Sequence, residues 1–166
     1  MLWHAFVLAA ALAAAVGDLG WRRISKWLSL PVAAAGLIDH ALAGGLGGAL
    51  AAMALGLAVG ALLLYMGAIA GGDAKWLAAL GALMGLRLWF WSLEFGLLAA
   101  GAMALGQMAR RGRLGFLCDD LGEILAGWRE HGLQAQSQHC VDTPGAITAP
   151  FALAMFAGVV CALCLL

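Results

Sequence analysis

Gly71-Gly72-Asp73-Ala74-Lys75 is a short polar stretch set between two long apolar runs, Leu46 to Ile69 and Trp76 to Phe90. A carboxylate close to hydrocarbon is costly to ionise, so an acid at membrane depth marks a group that faces a cavity or a partner. The two glycines reinforce that reading, because without a Cβ they let another chain come close to the acid. The surrounding runs decide the fold class. Of 166 residues, 64% are hydrophobic and 11% charged, far more apolar than a soluble domain. The expected fold is all-α, a polytopic helix bundle embedded in a lipid bilayer as a single domain over residues 1–166. The formal net charge is zero, which leaves no basic face able to neutralise a run of phosphates and excludes nucleic acid as a partner.

Upstream of the polar stretch, Gly44, Gly48, Ala52, Gly56 and Gly60 recur every fourth residue. Such a stripe drifts slowly around one helix face and lets a neighbouring backbone pack against it, fixing the depth of the Gly71 to Lys75 turn. Before it lies a shorter apolar segment, Leu28 to Leu42, with Pro31 suited to a first helical turn and Asp39 and His40 at a solvated outer end. The first segment, Leu2 to Val16, is followed by Arg22, Arg23 and Lys26. A cleaved secretion signal carries its basic residues before the apolar core, so this is expected to be a retained helix with its N-terminus outside.

Downstream, Trp76 to Phe90 and Leu93 to Met108 read as two spans separated by Arg87, an aromatic cluster and Glu94. Fifteen residues of helix reach roughly 22 Å, less than the ~30 Å hydrocarbon core, so interfacial anchors or local thinning must cover the rest. A single long helix here would immerse both Arg87 and Glu94. A cytoplasmic loop over about 109–146 contains Leu114 to Leu133, whose apolar residues share one face as in an interfacial helix, although its mainly acidic polar face suits packing over the bundle or contact with a partner equally well. Ile147 to Leu166 forms the sixth span. In this six-span topology Arg22, Arg23, Lys26, Lys75, Arg110, Arg111, Arg113 and Arg129 all fall on the cytoplasmic side, and only Arg87 falls outside.

The same topology puts Asp18, at the inner end of the first helix, level with Asp73, at the start of the fourth. Two carboxyl groups within a few ångströms resist ionising together and hold a shared proton over a broad pH range. Such a pair can take a proton from water as it attacks a peptide carbonyl and give one to the developing oxyanion. This chemistry needs neither metal nor cofactor. Cys118, Cys140, His131 and His139 match no compact zinc-ligand spacing. Cys161 and Cys164, in an apolar terminal helix, are expected to be small buried thiols. Lys75 is either an interfacial anchor or an electrostatic neighbour of Asp73, the anchor being favoured.

Two stretches resemble the prepilin peptidases, membrane aspartyl proteases with a Gly-x-Gly-Asp motif. Asp18-Leu19-Gly20-Trp21-Arg22-Arg23-Ile24 looks like the family's first-aspartate segment. Ala70-Gly71-Gly72-Asp73-Ala74-Lys75 looks like its second, with Gly71, Gly72, Asp73 and Lys75 as in the small members that serve Tad-type pili. The first motif glycine is replaced by Ala70, and the family's Ile-Pro-Asn ending is Ile24-Ser25-Lys26. For a late proline motif before the last helix there are two candidates, Thr143-Pro144-Gly145 and Ala149-Pro150-Phe151. The resemblance implies a catalytic pair of Asp18 and Asp73 supported by Gly71, Gly72 and Lys75. It also implies a bacterial inner-membrane location and a pilin-like precursor as substrate, cut at the cytoplasmic face. The paired-cysteine N-terminal domain of the methylating relatives has no counterpart, so methyltransferase activity is not expected. The alternative class is a non-enzymatic scaffold or a small proton-coupled carrier, in which the two aspartates are structural or ion-binding. Neither substrate-binding residues nor the oligomeric state are marked in the sequence.

Overall fold

A computed structural model describes residues 2–21, 26–112 and 150–165, with positions 115, 122–123, 126–127 and 129 between them. These residues form five helices and no strand: α1 (Leu2–Trp21), α2 (Lys26–Leu42), α3 (Leu46–Tyr65), α4 (Gly71–Arg110) and α5 (Phe151–Leu165). Alanine and leucine, which lose least on entering a helix, dominate all five. Helices α3 and α4 are long and apolar enough to cross a membrane, while α1, α2 and α5 contain shorter apolar stretches. The basic segment 22–25, the metal-ligand candidates at 118, 131, 139 and 140 and Thr143-Pro144-Gly145 lie outside the described residues. So does most of the expected interfacial helix, although 122–123, 126–127 and 129 are helical.

Helix α3 packs antiparallel on the first part of α4 through part of its small-residue stripe. A Cβ on Gly56 would come within 2.6 Å of the Leu77 carbonyl oxygen, and one on Gly60 within 2.7 Å of the Ala74 Cα. Ala52 is likewise buried, against Gly81. The stripe ends there, since side chains at Gly44 and Gly48 would meet nothing within 4 Å among the described residues. Helix α3 stops in a Schellman motif: the N–H of Ala68 bonds the Leu63 carbonyl at 2.9 Å and that of Gly67 the Leu64 carbonyl at 3.0 Å. Gly67 takes the required positive φ of 73°.

The two spans expected at Trp76–Phe90 and Leu93–Met108 form one element, with its break at Gly85 instead of between Arg87 and Glu94. Gly85 has φ 70° and ψ 174°, a conformation that side chains resist. The indole N–H of Trp89 reaches the Leu77 carbonyl at 3.1 Å across twelve residues, which would span roughly 18 Å on a straight helix. The Ser92 hydroxyl similarly lies 3.8 Å from the Met84 sulfur, eight residues back. The chain therefore doubles back at Gly85, giving arms of 71–84 and 86–110.

Helix α5 packs along the second arm, where a Cβ on Gly158 would come within 2.6 Å of the Gly96 nitrogen and one on Gly96 within 2.6 Å of the Met155 sulfur. Helix α1 has α5 as its main neighbour. Val7, Ala11, Ala14, Leu77, Leu80, Leu83, Met155 and Val159 fill the core. The buried face of α5 runs through Ala152, Met155, Val159 and Ala162, which turns Cys161 and Cys164 outward. Both thiols are exposed, correcting the expectation of burial. Pro31 is also displaced from its expected place: α2 begins at Lys26, so the proline sits beyond the first turn.

Candidate active site

Asp73 occupies the third position of α4, and its environment is built almost entirely from its own turn. Ala70 precedes the helix in extended backbone (φ −82°, ψ 160°), and its N–H donates to Asp73 Oδ2 at 3.2 Å. This is one half of a capping box. Alanine has no side-chain oxygen for the other half, and the Asp73 N–H instead bonds the Ala70 carbonyl at 3.0 Å. The extended conformation is open to any L-residue, so alanine in place of the motif glycine introduces no backbone strain. Only 9% of Asp73 is exposed, because its neighbours Ala74, Trp76 and Leu77 are buried against the core.

Asp18 sits in the last turn of α1, 8% exposed. The chain around it supplies no comparable anchor among the described residues. Its Oδ2 accepts a hydrogen bond from the backbone N–H of Ala152, at 3.0 Å and 134 residues away in sequence. Ala152 lies in the first turn of α5, where backbone N–H groups have no partner within the helix and the helix dipole favours an anion. Pro150 and Phe151, from the second of the candidate late proline motifs, thus stand at a helix start whose N–H reaches an acid, while Thr143-Pro144-Gly145 lies outside the described residues.

Each acid stands at one end of a helix, Asp18 in the last turn of α1 and Asp73 in the first turn of α4, and both ends lie on the same side of the bundle. Each carboxyl has one oxygen tied to a backbone N–H from an element start. The remaining expected site residues are less engaged. Gly71 is exposed, and a side chain there would meet nothing within 4 Å among the described residues. Gly72 is half-buried. Lys75 is exposed, two positions along the helix and so on roughly the opposite side from Asp73.

Two elements of the site were not foreseen. The Ala152 N–H is a backbone group with no sequence mark of its own, although Pro150 just before the helix is a recognised marker of helix starts. The Gly85 reversal sets the register of both α4 arms, yet Gly81 and Gly85 look alike in sequence and only Gly85 turns the chain.

At the far end from the acids, roughly 18 Å along α4, the His40 ring packs against the backbone of both Gly45 and Gly85. Its Nε2 is buried with no hydrogen-bond partner among the described residues, which corrects the expectation of a solvated end for His40. The structure thus places His40 with Asp39 at the end of α2 opposite the acids, away from the candidate site. No curated protein and no solved structure matches the chain. A sequence profile of the type IV leader peptidase family matches residues 5–106, a stretch that includes both Asp18 and Asp73.

Proposed function

The chain belongs to the type IV leader peptidase family, and from that premise we propose that it is a membrane aspartyl endopeptidase whose catalytic pair is Asp18 and Asp73. In this reading it removes the leader peptide from pilin-like precursors at the cytoplasmic face of the bacterial inner membrane. What supports it is that two buried carboxyl groups, 55 positions apart in sequence, stand at helix ends on the same side of the bundle, each with one oxygen held by a backbone N–H. A water held between them has the two groups hydrolysis needs. The ionised carboxylate takes a proton from the water as its oxygen attacks the scissile carbonyl, and the protonated acid donates to the oxyanion. Collapse of the tetrahedral intermediate breaks the C–N bond, and a proton passes to the leaving amine. The Ala70 and Ala152 N–H groups hold the two side chains for this work, and neither a metal nor a nucleophilic side chain takes part.

The proposed topology counts the arms of α4 as separate crossings, giving six with α1, α2, α3 and α5 and an N-terminus outside. Asp18, Asp73, Lys26, Lys75 and Arg110 then share the cytoplasmic side. A carrier reading lacks support in the core. Between the acids and the Gly85 end, the packing is by Leu77, Leu80, Leu83, Met155 and Val159. The buried polar side chains among the described residues are Asp18, Ser29, Asp73 and Ser92, which do not form a chain of ionisable groups across the bundle.

The test is to incubate purified protein in lipid with a pilin-like precursor and follow the precursor's size. Cleavage by the parent, and none by Asp18→Ala or Asp73→Ala, is expected. An intact precursor in the presence of folded parent would overturn the reading.

A further inference from the structure

At the end of the bundle away from the acids, two helical stretches start at glycine, and one imidazole lies beside both starts. Helix α2 closes in a Schellman motif, in which the N–H of Gly45 bonds the His40 carbonyl at 2.8 Å and that of Gly44 bonds the Ala41 carbonyl at 3.4 Å. Gly44 takes the positive φ of 76° that this motif uses. Gly45 is also the N-cap of α3 and, being glycine, has no side chain to cap it. Gly85, buried between the arms of α4, has the same deficit. It offers nothing to the N–H groups of residues 86–88, which have no partner within the second arm, and the reversal likewise frees carbonyls at the end of the first.

His40 reaches both places. A Cβ on Gly45 would come within 3.4 Å of its Nδ1, and one on Gly85 within 3.4 Å of its Cε1 and 3.5 Å of its Nε2. The ring therefore lies between the α2–α3 turn and the α4 reversal, with Nε2 toward the reversal. That nitrogen is enclosed, and no group among the described residues bonds it. A buried polar atom left unpaired costs the full desolvation of the group, and native structures leave few such atoms. Water suits the place, because a buried water bonds about three polar groups that have no other partner. The bridge works with either ring tautomer. Nε2 as acceptor takes a bond from a water whose oxygen receives a first-turn N–H, whereas Nε2–H donates to a water that donates onward to a freed carbonyl. We propose that one buried water joins His40 Nε2 to the backbone groups freed at Gly85, so that His40 caps the second arm of α4 and ties the α2–α3 turn to the reversal. The first arm carries Asp73 and the second holds α5, whose start bonds Asp18. This brace thus helps fix how the supports of the two acids face each other, and it is independent of peptide cleavage.

The test compares the full-length parent with His40→Leu and His40→Gln in detergent, by melting temperature and by amide hydrogen exchange resolved at residues 86–88. Leucine fills the place without a polar atom, whereas the glutamine amide can bond water as donor or acceptor. His40→Leu should lower the melting temperature and speed exchange at residues 86–88 by roughly three- to tenfold, the worth of a typical intramolecular hydrogen bond. His40→Gln should keep exchange within about twofold of the parent, since its amide replaces that one bond. The opposite sign decides against the water. If Nε2 is simply unpaired, leucine removes a buried polar atom at no loss and the melting temperature should rise. A higher melting temperature for His40→Leu, or parental exchange at residues 86–88 in that variant, overturns the proposal. Should both variants fold poorly, an experimental density map of the parent decides. A water bonded to Nε2 and to the backbone around Gly85 supports the bridge, and a map with no water in reach of Nε2 overturns it. Neither outcome bears on cleavage, so the peptidase reading stands or falls separately.

Discussion

Asp73 and Asp18 lie at the same end of the bundle but are held in opposite ways. Asp73 is a local construction: the Schellman motif at Gly67, the extended Ala70, the Ala70 N–H and the packing of Gly60 on Ala74 all lie within fourteen residues of it. Asp18 depends on a helix that begins 133 residues further along the chain, with α1 packed on α5 and α5 packed on the second arm of α4. Equal chemistry thus rests on unequal supports. A change near Asp73 should act through one turn, while a change near Asp18 should act through the docking of whole helices.

The largest expected effect treats both acids alike. Asp18→Asn and Asp73→Asn should each lower the precursor cleavage rate by at least about 10²–10⁴-fold, the range for losing a general acid or base, with helix content by circular dichroism unchanged. A variant that kept more than a tenth of parental activity would remove its aspartate from the proposed pair. Next come the packing glycines. Gly60→Val on the Asp73 side and Gly158→Val on the Asp18 side should each destabilise the fold by about 1–3 kcal/mol through overpacking, read as a lower melting temperature in detergent. The contrast predicts that only Gly158→Val loosens α1, so protease cutting within α1 should accelerate in that variant and stay at the parental rate in Gly60→Val.

A finer comparison removes the two anchoring N–H groups one at a time. Ala152→Pro lies in a first helical turn, where proline is tolerated, and it deletes the donor to Asp18. Ala70→Pro replaces a residue whose φ of −82° suits proline and deletes the donor to Asp73. A hydrogen bond to a charged group contributes about 1.5–3 kcal/mol, so each change should cost roughly ten- to a hundredfold in kcat/KM. The loss should be greater for Ala152→Pro, because Asp18 has no local turn to keep its side chain in place. Equal losses would show that the local and remote supports are equivalent. The smallest effect belongs to Ala70→Gly, which restores the motif glycine. Activity should stay within about twofold, and stability should fall by about 0.4–1 kcal/mol, because the unfolded chain gains freedom.

This difference in support also explains what could be read from the sequence. The helical class and a chain reversal ahead of Asp73 were legible, because apolar runs and a glycine-flanked acid are written locally, but Gly71 to Lys75, read as the turn, is the first turn of α4 and the reversal lies at Met66 to Ala70. The packing role of Ala52, Gly56 and Gly60 was legible for the same reason. The Gly85 reversal was not, since Gly81 and Gly85 have similar neighbours and what separates them is three-dimensional: Gly81 lies under Ala52, while Gly85 takes the positive φ that turns the chain. The bond from Ala152 to Asp18 was beyond reach because a backbone N–H has no residue identity. Cys161 and Cys164 were misread because their helix is apolar on every side, and only the packing of Gly158 and Met155 on α4 chooses the buried face.

The hydrogen bond from Ala152 to Asp18 also has a consequence in time. A ribosome makes Asp18 early and adds Ala152 134 residues later, which at about 5–20 residues per second is a delay of roughly 7–27 seconds. On the proposed roles, one half of the catalytic pair spends that interval without its anchor while the membrane around the nascent chain contains other polypeptides. On those roles the pair cannot be complete before Ala152 has been added and α5 has docked on α1.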